Sequence, residues 1–147
     1  MICDHSLTHS LQFSFSQKYF GCFDFIYCFD VFPHCDIHTI YNYLVEIRKL
    51  LKKDGRAFLS TANLLSEDGW KRFSRQSKFT VGGFYFLTPE IVLKLVMEAG
   101  LRLVRRSDAR EDTGGNTYYD RDFLFVVERD DMPQEKNTPA KPSTFFR

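Results

Sequence analysis

Few features in this sequence announce a function on their own. The cysteines, Cys3, Cys22, Cys28 and Cys35, include no Cys-x-x-Cys, the spacing that marks zinc knuckles and redox pairs. Cys35 lies near His34 and His38, so a ligand set can be written down, but reduced and mostly buried thiols are the commoner use of such residues. Neither a metal nor a disulfide is expected. Charge of one sign is also missing. The formal net charge is +1 over 147 residues, which leaves no whole-chain field to draw the protein to nucleic acid or an anionic membrane. The apolar runs around Phe23–Phe32 are short and broken by Asp24 and Asp30, well below the roughly 20 apolar residues of a membrane span. Met1–Ser6 carries neither a positive cluster nor an apolar stretch, so no secretory signal is expected. These absences imply a soluble, cytoplasmic protein. Gly-x-Ser-x-Gly is absent, as is any Cys/His pair with an orienting partner, so covalent nucleophilic chemistry has no signature here. Internal repeats are absent as well.

What is present is apolar and aromatic. These classes make up 44% and 16% of the residues, enough for one domain with one core. Phe23–Phe29 reads as a buried strand by its length and aromatic content, followed by Asp30 and a proline-containing loop to Asp36. Ile37, Ile40, Leu44, Ile47 and Leu51 recur at steps of 3, 4, 3 and 4, which places one apolar stripe on one helix face. Asp36 suits the start of that helix, and Lys52, Lys53 and Gly55 its end. Arg56–Thr61 reads as a second buried strand. Two strands joined by such a helix form a parallel βαβ crossover. Ligands in open parallel sheets bind outside the carboxyl ends of the strands, which here are Asp30–His34 and Thr61–Asn63.

Ser66–Lys78 is expected to be helical, with Trp70 and Phe73 inward. Thr80–Leu87 reads as an ordered loop or short strand. Thr88-Pro89-Glu90 opens another helix whose inner face is Ile91, Val92, Leu95, Val96 and Ala99, and Gly100 ends it. Leu101–Arg106 and Asp122–Glu128 read as an antiparallel pair joined through the turn residues Gly114-Gly115-Asn116. Residues 1–22 read as an irregular segment. Alternation of Leu11, Phe13 and Phe15 with Gln12, Ser14 and Ser16 allows one short strand there. Residues 130–147, with Pro133, Pro139 and Pro142, read as a disordered tail.

The order β-α-β, helical insert, α-β-β resembles the C-terminal half of class I S-adenosylmethionine-dependent methyltransferases, over about Phe23 to Arg129. Phe23-Asp24-Phe25-Ile26-Tyr27 and then Asp30-Val31-Phe32-Pro33-His34 resemble the family's fourth strand and its loop. Tyr43–Gly55 resembles the following helix and its lysine-proline-glycine-glycine ending, with Lys53-Asp54 where Pro-Gly is usual. Phe58–Asn63 is similar to the fifth strand. Leu87-Thr88-Pro89-Glu90 through Glu98-Ala99-Gly100-Leu101 is similar to the late helix and its exit. The fold class implied is α/β, a partial Rossmann-like methyltransferase sheet of parallel strands plus a C-terminal antiparallel pair, flanked by helices. Residues 23–129 would be the C-terminal half of a methyltransferase-like domain.

The resemblance implies S-adenosyl-L-methionine as cofactor and a small-molecule methyl acceptor. Phe29, Asp30 and Val31 fall where the family contacts the cofactor. His34 falls beside the acceptor, where it could take a proton, since histidine exchanges one near neutral pH. Asn63, Phe84 and Tyr85 are candidates for substrate contact. Each has an ordinary alternative: Asp30 a turn-capping acid, His34 a solvated residue, Asn63 an organiser of its own loop, Phe84 and Tyr85 core aromatics. Lys71, Arg72, Arg75 and Lys78 could meet a phosphate, but are expected to be a solvated helix face, and no nucleic-acid partner is expected.

The family's glycine-rich cofactor turn has no counterpart in residues 1–22, which hold one glycine, Gly21, and no Gly-x-Gly. The chain alone is therefore expected to bind the cofactor weakly. A non-catalytic α/β remnant or interaction module is the alternative reading. In the complete fold the fourth strand pairs with the first, so Phe23–Phe29 should present an open edge, a site for self-association or a partner unless Leu11–Ser16 folds back over it.

Overall fold

A computed structural model describes residues 14–80, 82–108 and 117–131. Along them run strand β1 (Phe23–Cys28), helix α1 (Ile37–Leu50), strand β2 (Leu51–Asn63), helix α2 (Glu67–Arg75), the two-residue strand β3 (Phe86–Leu87), helix α3 (Pro89–Glu98), strand β4 (Leu101–Arg106), the short helix α4 (Thr117–Arg121) and strand β5 (Asp122–Arg129). The sheet order is β1-β2-β5-β4, with β3 added to the end of β2. β1 and β2 are parallel, and β5 is antiparallel to both β2 and β4. This is the α/β, partly Rossmann-like sheet expected. The Gly114-Gly115-Asn116 connection lies outside the described residues.

One face of the sheet carries the core. Ile40, Leu44 and Ile47 of α1 and Val92, Val96 and Ala99 of α3 pack with Ala57, Leu59, Phe123, Phe125 and Val127. Alternation along the strands sends Phe25, Tyr27 and Phe58 to the other face. There Tyr27 stacks on Phe58 with ring centroids 5.5 Å apart. No helix covers these rings among the described residues, and Phe25 and Tyr27 stay 57% and 65% exposed. The expectation of a buried first strand is therefore corrected. Among the described residues β1 has one strand neighbour, β2, and its apolar composition cannot reveal that.

Helix α1 begins as expected, with the Asp36 carboxylate accepting from the N–H groups of His38 and Thr39. These bonds and the Thr39 hydroxyl hold the Asp36 carboxyl below its usual value. The end of α1 differs. The chain passes at Leu51 straight into β2, and Gly55 is strand rather than helix cap. Its lack of a side chain serves close packing, because a Cβ there would lie 2.6 Å from the Phe23 carbonyl oxygen. Gly100 does end α3, at φ 72°. Its carbonyl accepts from Arg48 Nε at 3.0 Å, which ties the helix exit back to α1. Thr88 precedes α3 without making a side-chain cap bond.

Three residues expected to face inward do not. Trp70 and Phe73 are 57% and 41% exposed. α2 rests on Gly69, where a Cβ would fall 1.8 Å from the Asn63 carbonyl oxygen, and its Ser66 cap donates to the Arg121 carbonyl at 3.0 Å. The aromatic side of the helix is thereby turned outward. Ile91 is 42% exposed, because the buried stripe of α3 follows Val92, Val96 and Ala99.

Ahead of β1, the Phe15 N–H donates to Glu46 of α1 at 2.9 Å, and the Gly21 and Cys22 N–H groups donate to the Lys49 and Leu50 carbonyls. Burial pushes the Glu46 carboxyl up, but Lys49 and the Phe15 N–H together pull it below its usual value. Ser14–Ser16 are thus held toward α1 rather than paired with β1, whose sheet partner is β2. Leu11, Gln12 and Phe13 lie outside the described residues. No described helix is long and apolar enough to cross a membrane.

Candidate functional site at the carboxyl ends of the parallel strands

The loop leaving β1 turns at Asp30, whose φ of 58° is positive. Aspartate tolerates this left-handed conformation better than most residues, and two contacts hold it. The Asp30 N–H donates to Ser60 Oγ at 2.8 Å, and its carboxylate accepts from Arg121 Nη2 at 3.1 Å. Phe29 packs edge-on against Tyr118 at 4.8 Å and stacks on Phe58 at 6.2 Å. Val31 is exposed and opens a short 3₁₀ turn, its carbonyl accepting from the His34 N–H.

His34 stands at the end of that turn with Nδ1 3.1 Å from the Gly83 carbonyl oxygen. A carbonyl only accepts, so Nδ1 carries the proton and Nε2 is left as the basic nitrogen of the neutral ring. The ring meets Phe84 edge-on, centroids 5.0 Å apart. Phe84 is 5% exposed, and its backbone N–H and carbonyl are both bound by the Gln76 carboxamide. The Tyr85 N–H donates to the Pro33 carbonyl at 2.7 Å, and its ring lies against Phe79. His34, Phe84 and Tyr85 are therefore brought together, with Asp30 joined to them through Arg121. Asn63 stands apart as the last residue of β2, paired with Leu87 of β3. It is 6% exposed, and its Oδ1 accepts from the Leu65 N–H at 3.0 Å.

Arg121 and Asp122 organise this site without having been singled out from the sequence. Arg121 Nε donates to Asp122 Oδ1 at 2.7 Å while Nη2 reaches Asp30. The Arg121 guanidinium also lies 4.9 Å from the Phe84 ring centroid. Burial pushes the Asp122 carboxyl up, against the pull of Arg121, and Asp122 in turn holds the guanidinium charged. The only trace in the sequence is the adjacent Arg-Asp pair, a common dipeptide. Among the thiols, burial and the neighbouring Cys35 push Cys28 up to about 11, so it stays protonated at neutral pH.

Phe29, Asp30 and Val31 follow one another along the loop leaving β1. The Asp30 N–H and one of its carboxylate oxygens are already engaged, and the positive-φ glycines of the described residues, Gly21 and Gly100, lie away from this loop. These residues do not fit the cofactor by themselves.

Solved methyltransferases share the architecture. Magnesium protoporphyrin IX methyltransferase from Synechocystis is 18% identical with a TM-score of 0.52, over 77% of this chain and 48% of that one. The 1,6-didemethyltoxoflavin-N1-methyltransferase of Burkholderia thailandensis is 17% identical with a TM-score of 0.53, over 76% and 46%. A methyltransferase of Thermotoga maritima, described as a possible histamine N-methyltransferase, is 18% identical with a TM-score of 0.53, over 76% and 57%. The chain spans about half the length of these proteins. No family model and no curated protein sequence matches it. The chain thus has the fold of part of a S-adenosylmethionine-dependent methyltransferase domain, as the sequence resemblance implied.

Proposed function

We propose that this chain supplies the acceptor side of a S-adenosylmethionine-dependent methyltransferase acting on a small molecule in the cytoplasm. The observation that carries the reading is the convergence of Asp30, His34, Phe84 and Tyr85 at the carboxyl ends of parallel strands, within a methyltransferase fold. When bound, the cofactor supplies an activated methyl group, so the protein's task is alignment and removal of a proton. In this reading His34 Nε2 takes the proton of the acceptor, and Gly83 fixes the ring that does so. Phe84 and Tyr85 wall the acceptor against water, and Arg121 holds Asp30 in its left-handed turn. Phe29, Asp30 and Val31 offer one wall to a cofactor whose remaining contacts come from other residues. The test is cofactor affinity: weak for this chain alone, and in the micromolar range once a glycine-rich partner half is present.

A second reading, a docking module without cofactor, is favoured by the β1 edge, unpaired among the described residues, and by the exposed rings of Phe25 and Tyr27. Unpaired strand edges invite pairing. On either reading the isolated chain should associate as its concentration rises, with Phe25–Cys28 amides gaining protection from hydrogen exchange in step. A strict monomer with strongly protected β1 amides would show the edge to be covered from within.

A further inference from the structure

A second groove adjoins this site, between α2 and the Gly82–Phe84 loop. Its volume is about 500 Å³, and its lining includes Lys71, Arg72, Arg75, Arg121, Gly82 and Gly83. Two of its cations, Arg72 and Arg75, stand outside the ion pairs formed there. Asp68 also lines the groove, but it pairs with Lys71, which Glu67 engages as well. Arg121 is held by Asp30 and Asp122. Among the described residues, Arg72 and Arg75 form no ion pair within 4 Å, although the charge of Arg72 also acts on the Asp122 carboxyl.

Arg72 is nonetheless fixed. Its guanidinium carbon lies 4.1 Å from the centroid of the Phe84 ring, the same ring that Arg121 approaches. Phe84 is itself buried and pinned by Gln76. Stacking occupies the face of a guanidinium and leaves its N–H donors at the edge, arranged in the planar fork that suits carboxylates and phosphates. A cation placed in this way, without an acceptor, is preorganised for an anion. Gly83 lines the groove, and its carbonyl is the oxygen that orients His34, so one residue links the groove to the candidate base. At Gly82 a side chain would meet nothing within 4 Å, so the mouth is open.

We propose that this groove binds the anionic group, a carboxylate or a phosphate, of a small molecule through Arg72 and Arg75. The substrate class follows: an acceptor that carries such a group close to its methylated atom. That last clause rests on the function proposed above, whereas the binding site does not.

The test measures binding without S-adenosylmethionine. Inorganic phosphate and benzoate are titrated separately into the chain while the arginine Nε–H resonances are followed by NMR. Saturable shifts of Arg72 and Arg75 are expected with at least one probe. Phosphate alone would point to a phosphorylated ligand, and benzoate alone to a carboxylate. Arg72→Gln should weaken binding by at least about tenfold, the loss of charge-assisted hydrogen bonds, and Arg102→Gln on β4 should leave it unchanged. Arg72→Lys, which keeps the charge without the fork, should fall between them. Dispersed spectra of every variant establish that each is folded. Linear shifts with both probes, equal losses in Arg72→Gln and Arg102→Gln, or binding of a single-stranded oligonucleotide with neither small anion would overturn the proposal. A chain that binds the anion yet belongs to no methyltransferase would leave this site standing and remove only the substrate assignment.

Discussion

Replacing Leu44 with alanine should lower the unfolding free energy by about 2–5 kcal/mol, the range for large-to-small changes in a packed core. Leu44 is 0% exposed at the centre of the α1 stripe, between Ile40 and Ile47 and over Ala57 and Leu59. The loss has two parts: the transfer energy of the deleted carbons, and the dispersion contacts of the void they leave. Domains of this kind have only about 5–15 kcal/mol in total, so the variant should unfold at a visibly lower urea concentration. Ile91→Ala, on the exposed side of α3, should cost under about 1 kcal/mol. Equal effects of the two substitutions would mean that α1 does not pack as described.

A comparable loss is expected from Arg121→Ala, for an electrostatic reason. Asp122 is 1% exposed, and Arg121 is the cation that hydrogen-bonds it. Removing one partner of a buried pair leaves the other charge uncompensated, at about 3–5 kcal/mol near neutral pH. The sign of the pH dependence follows from the carboxyl. Burial already raises the Asp122 pKa above the ordinary 3.8, and Arg121 is the largest pull in the other direction, so the variant raises it further. A carboxyl raised in the folded state contributes stability that is present below its unfolded value and lost as pH rises through the folded one. The deficit of the variant should therefore be small at about pH 3.8 and complete at neutral pH. In an Asp122→Asn background, where no charge is left behind, Arg121→Ala should cost much less. Urea unfolding of the four proteins at the two pH values checks both statements. A deficit that is independent of pH would mean that Arg121 acts through packing alone.

The crossover was legible because its signals are local. The Ile37–Leu51 periodicity and the Asp36 cap each report backbone and side-chain preferences that operate within a turn or two, as does the Gly100 stop of α3. The environment of β1 was not legible. Aromatic residues at alternate positions look the same whether both faces are covered or one, and coverage depends on what lies beside the strand. Trp70 misled for a related reason: a large aromatic on a helix is expected inside, but the seat of α2 is Gly69 against the Asn63 carbonyl. For the candidate site, Asp30 and His34 followed from the rule that ligands bind at strand ends, and Phe84 and Tyr85 from the family resemblance. Arg121 and Asp122 did not, because they reach the site only through the antiparallel return of β5 beside β2.

In the function proposed above, these residues supply the acceptor side of a methyltransferase, while most of the cofactor's contacts come from other residues. Calorimetric titration of S-adenosylmethionine into the folded chain measures this directly. The account predicts a dissociation constant far weaker than micromolar, or no measurable heat, because one aromatic and acidic wall cannot replace a turn that cradles the ribose and the methionine. A dissociation constant at or below the low micromolar range would contradict it, and would mean that these residues, or a second copy of the chain, build the cofactor site themselves.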